Sequence, residues 1–105
     1  MPTLPAKEFL PSARTLLGRI EELQHIRPRA RGALVVLESG PEAEPVRHAR
    51  FRRVTKQYWM LEMPASGGRW QPTGYRDTLG SLFELLVGAF GWMLAPLAEE
   101  NPERT

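Results

Sequence analysis

The chain of 105 residues contains no cysteine, one aspartate and two histidines, so several kinds of chemistry lack their usual residues. Without cysteine there are no disulfides, thiolate nucleophiles or thiolate metal ligands. His25 and His48 do not have a metal-binding spacing such as His-Glu-x-x-His, and no serine lies in a nucleophile elbow. The sequence therefore predicts a protein that is not an enzyme, with no catalytic residues, no cofactor and no metal site.

Length and composition are those of one small domain. A chain of 105 residues can bury one core, so we expect residues 1–105 to form a single domain, with a flexible lead over 1–8 and a flexible tail over 99–105. No apolar leader with a cleavage site opens the chain, and together with the absence of cysteine this predicts a cytoplasmic location. Ten prolines and a single asparagine, with glutamate far exceeding aspartate, resemble the composition of heat-adapted proteins.

Hydrophobic periodicity predicts two helices that flank four strands. The first helix is expected over 11–25, where Arg27-Pro28 ends it, and the last begins at Leu79 after a cap at Asp77 or Thr78. The strands are expected over 33–38, 46–54, 57–63 and 69–75, the last of them at a sheet edge because it contains a proline. Short links in an α-β-β-β-β-α order predict an α+β fold, in which an antiparallel meander sheet carries both helices on one face.

Residues 79–97 contain one charge, Glu84, and their apolar side chains cover more of a helix than one core contact needs. The rest of the helix surface is a stripe of small side chains that includes three glycines. In a helix interior each glycine costs roughly 1 kcal/mol of stability relative to alanine. We therefore expect another backbone to approach this helix, and predict a homo-oligomer, most simply a dimer. The candidate interface residues are Trp59, Trp70, Glu84, Gly88, Gly91, Trp92 and Ala95. Mutational drift in a GC-rich genome is an alternative, whereas the charge and Pro96 argue against a membrane anchor.

The positive charge of the chain is concentrated in its middle. Residues 27–56 have a net charge of +5, although the whole chain has only +2. In an extended strand over 46–54, neither face is cleanly apolar, and tryptophans and tyrosines follow on the next strands. Such a surface can hold phosphates and stack bases, and its candidate residues are Arg47, Arg50, Arg52, Arg53 and Lys56. The alternative is a structural network in which these cations pair with Glu38, Glu42, Glu44 and Glu62.

The helix, meander, helix order is similar to that of double-stranded-RNA-binding domains and of a small dimeric nucleoid-associated family. The resemblance is one of topology over most of the chain. Those RNA-binding domains place a lysine cluster at the start of their last helix, where this chain has Arg76-Asp77-Thr78-Leu79-Gly80, so no site residue is carried over. Two hypotheses result: a non-enzymatic, homo-oligomeric interaction or structural domain, and, as the alternative, a non-specific nucleic-acid-binding protein.

If the small-residue stripe is an oligomer contact, Gly88→Leu should disrupt assembly, because a large side chain forces the two backbones apart. Ser81→Ala should leave assembly unchanged, since it removes one hydroxyl and adds no bulk. Light scattering at micromolar concentration measures the mass of both variants and of the parent. A monomeric parent, or equal tolerance of both changes, would contradict this interface.

Overall fold

The computed structural model describes residues 4–94, apart from the side chains of residues 92 and 93. Helix α1 spans Leu10–Gly18 and α2 spans Leu79–Phe90. The strands are β1 Arg27–Arg31, β2 Leu34–Ser39, β3 Val46–Arg53, β4 Trp59–Pro64 and β5 Trp70–Asp77. Short 3-10 turns occur at Lys7–Phe9, Glu21–Leu23, Ser66–Gly68 and Gly91–Leu94.

The five strands form one antiparallel sheet in the order β1-β2-β3-β4-β5. This confirms the predicted α+β class, with a meander sheet between an N-terminal and a C-terminal helix. The sheet has one strand more than the sequence predicted, and β5 with its proline is an edge strand as expected.

The core lies between one face of the sheet and the two helices. Alternation along the central strands directs Val35, Leu37 and Phe51 to this face, where they are almost completely buried. Both helices contribute to the same cluster of buried side chains, through Leu17 of α1 and Leu86 of α2 among others. The prediction that both helices cover one face is therefore confirmed.

The additional strand, β1, arises where the sequence predicted the end of a helix. Helix α1 ends at Gly18 rather than near residue 25, and one 3-10 turn follows it. Arg27 and Pro28 then begin β1, which pairs with β2 over its full length. Proline is compatible with this position because β1 is the other edge of the sheet.

The chain before α1 is held against the sheet. Ala6 is fully buried and its amide donates to the carbonyl of Gly32 at 2.8 Å. At the other end of the chain, the Thr78 side chain caps α2 by accepting from the Ser81 amide. Residues 95–97 of the predicted last helix, and the predicted tail, lie outside the described residues.

In the described part of the chain, no helix has both the length and the apolar character to cross a bilayer.

Leu37 and Leu34 lie in the same strand on opposite faces of the sheet, and this makes them a matched pair. Leu37→Ala should lower the free energy of unfolding by about 2–5 kcal/mol, because it opens a cavity in the core. Leu34→Ala, on the uncovered face, should cost well under half as much, since its side chain is already partly in water. Denaturant titration measures both changes, and equal losses would mean that both sheet faces are packed.

Candidate nucleic-acid interface

The sheet face without helices, here called the open face, carries most of the positive charge of the middle segment. In β1, every second residue points to this face, and these are Arg27, Arg29 and Arg31. In β3 a second column consists of Arg47, Arg50 and Arg52. Strand β2 lies between the two columns, and its open-face residues are Leu34, Val36 and Glu38. Two columns of arginine therefore flank a narrow strip that is apolar at Leu34 and Val36 and acidic at Glu38.

A β-bulge at Leu37 and Glu38 brings Arg47 into line with the other arginines of β3. Simple alternation would place Arg47 opposite to Arg50, but the bulge shifts the register so that Glu38 pairs with Arg47. The additional residue is His48, which is buried. Alternation alone predicts that His48 shares a face with Arg50 and Arg52, but the bulge puts Arg47 in that place.

Each of the two open-face glutamates lies between two arginines. Glu38 forms ion pairs with Nε of Arg29 at 3.1 Å and with Nε of Arg27 at 3.9 Å. Glu62, on β4, accepts from Nε of both Arg50 and Arg52. The structural ion network foreseen as an alternative is therefore present at Glu38 and Glu62.

Burial by itself raises the pKa of the Glu62 carboxyl, but the hydrogen bonds and charges of Arg50 and Arg52 outweigh it and hold the pKa below its ordinary value. The carboxylate is thus charged at neutral pH, although its side chain is almost completely buried. The stable form of this site is a negative charge enclosed by two guanidinium groups.

The glutamates leave a large part of the cationic surface uncompensated. Arg31, Arg47 and Arg76 form no ion pair with any residue among 4–94. Arg29, Arg50 and Arg52 use Nε for their pairs, so no described carboxylate takes up their terminal guanidinium nitrogens. Arg76 of β5 also lies on this face, because its strand partner Met60 is in turn paired with Arg52. The open face therefore has seven arginines and two glutamates, a net charge of +5.

A shallow depression of about 150 Å³ lies between the arginine columns. Its lining consists of Arg29, Arg31, Leu34, Val36, Arg47, Arg50 and Trp70 and includes no acidic side chain. Trp70 reaches it from β5, where the guanidinium carbon of Arg50 lies 4.5 Å from the centre of its ring. Four cations, an aromatic ring and two aliphatic side chains thus surround one concave surface.

The remaining candidate cations lie elsewhere. The Arg53 side chain points to the helix side and is only 7% exposed. It donates to the Pro5 carbonyl and to Glu8, both at 2.7 Å, and to the Lys56 carbonyl at 2.9 Å. These contacts tie the N-terminal lead to the β3-β4 hairpin, so Arg53 is not available on the open face. Lys56 is exposed in that hairpin.

The candidate residues of the oligomer interface lie in different parts of the fold. Trp59 is 1% exposed in the core beneath Phe9, so it offers almost no surface to a second copy, whereas Trp70 lies on the open face. Glu84 and Gly88 are exposed on α2, and a Cβ added to Gly88 or Gly91 would meet no described atom within 4 Å. The side chain of Trp92 and the whole of Ala95 lie outside the described residues.

The sequence analysis counted Arg27, Arg29 and Arg31 in the basic segment over 27–56 but did not name them as site residues, although a signal was present. Arginine at every second position is the pattern of a strand with one cationic face. The pattern was obscured because Arg27-Pro28 also reads as the end of a helix.

A hydrogen-bonded serine and histidine lie on the helix side of the sheet. The Ser39 hydroxyl and Nε2 of His48 are 2.7 Å apart, and the His48 ring packs edge-on against that of His25 at 6.0 Å. Nε2 of His25 donates to the Leu94 carbonyl at 2.7 Å. Ser39 and His48 are both buried, so the pair connects β2 to β3 rather than facing a substrate. Among the described residues, no group of three potential metal ligands occurs.

A scan of protein-family models, a search of curated proteins and a search of solved structures each found no match to this chain.

Glu62→Gln should lower the free energy of unfolding at pH 7 by about 2 kcal/mol, because two guanidiniums lose a charged acceptor. The folded pKa of Glu62 lies below its ordinary value of 4.5, so its contribution is present above that value and is lost as the pH falls through the folded pKa. The difference between parent and variant should therefore shrink on acidification in that window. Denaturant titrations at several pH values measure it.

Glu84→Gln is the matched control, because Glu84 is exposed and forms no ion pair with residues 4–94. It should change stability little at any of these pH values. A Glu62→Gln deficit that stays constant from neutral to acid pH would contradict the role assigned to this carboxylate.

Proposed function

We propose that the protein binds single-stranded nucleic acid through the open face, without selecting a base sequence. The observation that carries this proposal is the depression in which four arginines and Trp70 meet without an acidic side chain. Phosphates are the anions that guanidinium groups pair with best, because the planar fork matches two phosphate oxygens. Arg29 and Arg50 pair with glutamate through Nε, so their terminal guanidinium nitrogens can supply part of such a fork.

The spread of the cations fits a repeating anion better than a single ion. The two arginine columns flank one strand, which separates them by about 10 Å, and successive arginines of one column are about 7 Å apart. A lone phosphate can contact only a small part of such an array. A chain of phosphates that follows the sheet can meet several arginines at once, and each contact adds counterion release to the binding free energy.

The apolar residues between the columns favour unpaired bases over a duplex. Leu34, Val36 and Trp70 lie in the depression beside the arginines. Bases that are not paired can pack on aromatic and aliphatic side chains, whereas a duplex keeps its bases stacked inside. Both helices lie on the other side of the sheet, so neither is placed to enter a major groove from this face. Sequence selection is therefore not expected.

A homo-oligomer is the second candidate function, and α2 is a more suitable interface for it than the open face. Two-fold pairing of the open faces would bring two surfaces of net charge +5 together, which opposes association. On α2, Leu85, Val87 and Phe90 are only partly buried beside the open space at Gly88. A second copy packed there would cover apolar area without opposing like charges.

The proposed location of the protein is the cytoplasm, which is consistent with a chain that has no cysteine.

Replacing Arg31 and Arg47 together by glutamine should weaken binding to single strands of different sequence by a similar factor. It should also lower the slope of log affinity against log salt by about 1.4, if each arginine meets one phosphate. Neither residue pairs with a described carboxylate, so the free energy of unfolding should be nearly unchanged. Fluorescence anisotropy with labelled oligo(dT), oligo(dA) and a duplex, at several salt concentrations, measures these effects.

The double variant Lys7→Gln and Arg19→Gln is the control, because it removes the same charge from the helix side of the molecule. It should leave the affinity and the salt slope close to those of the parent. Absence of binding by the parent at about 50 mM salt, or equal effects of the two double variants, would refute the assignment to the open face.

A further inference from the structure

The helix side of the sheet has a larger cavity that the nucleic-acid proposal does not use. Helix α1 contacts β1, whereas α2 contacts β4 and β5, so the helices lie over different parts of the sheet. A groove of about 730 Å³ extends between α1, the start of α2 and the β3-β4 hairpin. Its size falls within the range of roughly 300–1,000 Å³ that is typical of small-molecule sites.

The walls of the groove are mainly apolar. Phe9, Leu16, Trp59 and Leu79 line it, and the rings of Phe9 and Trp59 pack edge to face with centres 5.1 Å apart. Because Trp59 belongs to the buried core, this part of the groove is fixed by the fold itself. An apolar molecule placed there would remove from water its own surface and the partly exposed side chains of Phe9 and Leu16.

The charges at the groove all have one sign. Arg19, just after α1, and Lys56, in the hairpin, line it, and no acidic side chain does. Neither cation pairs with a carboxylate among residues 4–94. Glu8, which precedes the groove residue Phe9, forms an ion pair with Arg53 at 2.7 Å. The first residues of α2 also line the groove, and the positive end of the helix dipole adds to its attraction for an anion.

We infer that this groove binds a small amphiphilic molecule with an apolar body and a single carboxylate. The apolar walls would hold the body, and Arg19 and Lys56 would hold the carboxylate. The site lies on the opposite side of the sheet from the open face, so this inference does not depend on nucleic-acid binding.

Calorimetric titration of the full chain with decanoate, below its micelle concentration, tests the inference. Decanoate should bind with one site per chain, decanol at least tenfold more weakly, and acetate not measurably. This order is expected because both the apolar body and the charge contribute, and a charged hydrogen bond is worth about tenfold or more in affinity. No decanoate binding, or equal binding of decanoate and decanol, would overturn the inference.

Three variants locate the site. The double variant Arg19→Gln and Lys56→Gln should weaken decanoate binding at least tenfold and leave decanol binding unchanged. Thr15→Trp places a large side chain from an exposed position of α1 into the groove, and should abolish both. Lys7→Gln with Arg14→Gln, which removes equal charge outside the groove lining, should have no effect. Equal effects of the two charge variants would overturn the inference, as would binding to anionic vesicles without binding to decanoate.

Discussion

The covering of only one sheet face by helices is the constraint on which the rest of the structure depends. Because side chains alternate along a strand, β2 and β3 each send one set of residues to the helices and the other set to the open face. The inward set is apolar and includes Val35, Leu37 and Phe51. The outward set has no helix above it, and in β3 it consists of arginine, at Arg47, Arg50 and Arg52. A cationic surface is thus a direct consequence of how the sheet is covered.

A face with seven arginines is stable only if their mutual repulsion is reduced, and Glu38 and Glu62 do this. Each glutamate is placed between two arginines, where the charges that it neutralises also offset its burial. Two carboxylates cannot compensate the whole array. The ion network and the proposed binding surface are therefore parts of one arrangement, since the network fixes some guanidiniums in position and leaves others without a carboxylate partner among residues 4–94.

Periodicity in the sequence was sufficient to predict four of the five strands, the presence of both helices and the covered face, because burial of apolar residues determines them. It failed where tertiary pairing decides between two local possibilities. Pro28 is compatible with a helix end and with an edge strand, and only pairing with β2 selects the strand. The bulge at Leu37 and Glu38 likewise depends on the partner strand, so the face of Arg47 could not be deduced from alternation alone.

Arg52 and Arg53 illustrate why charge counted along a sequence does not define a surface. They are neighbours in β3, but alternation sends Arg52 to Glu62 on the open face and Arg53 to Glu8 on the helix side. There Arg53 lies 4.6 Å from the ring centre of Phe9, which is one wall of the apolar groove. One basic strand thus supplies a cation to the open face and supports the groove on the other side. The positive charge of the segment over 27–56 is divided between two surfaces that the sheet keeps apart.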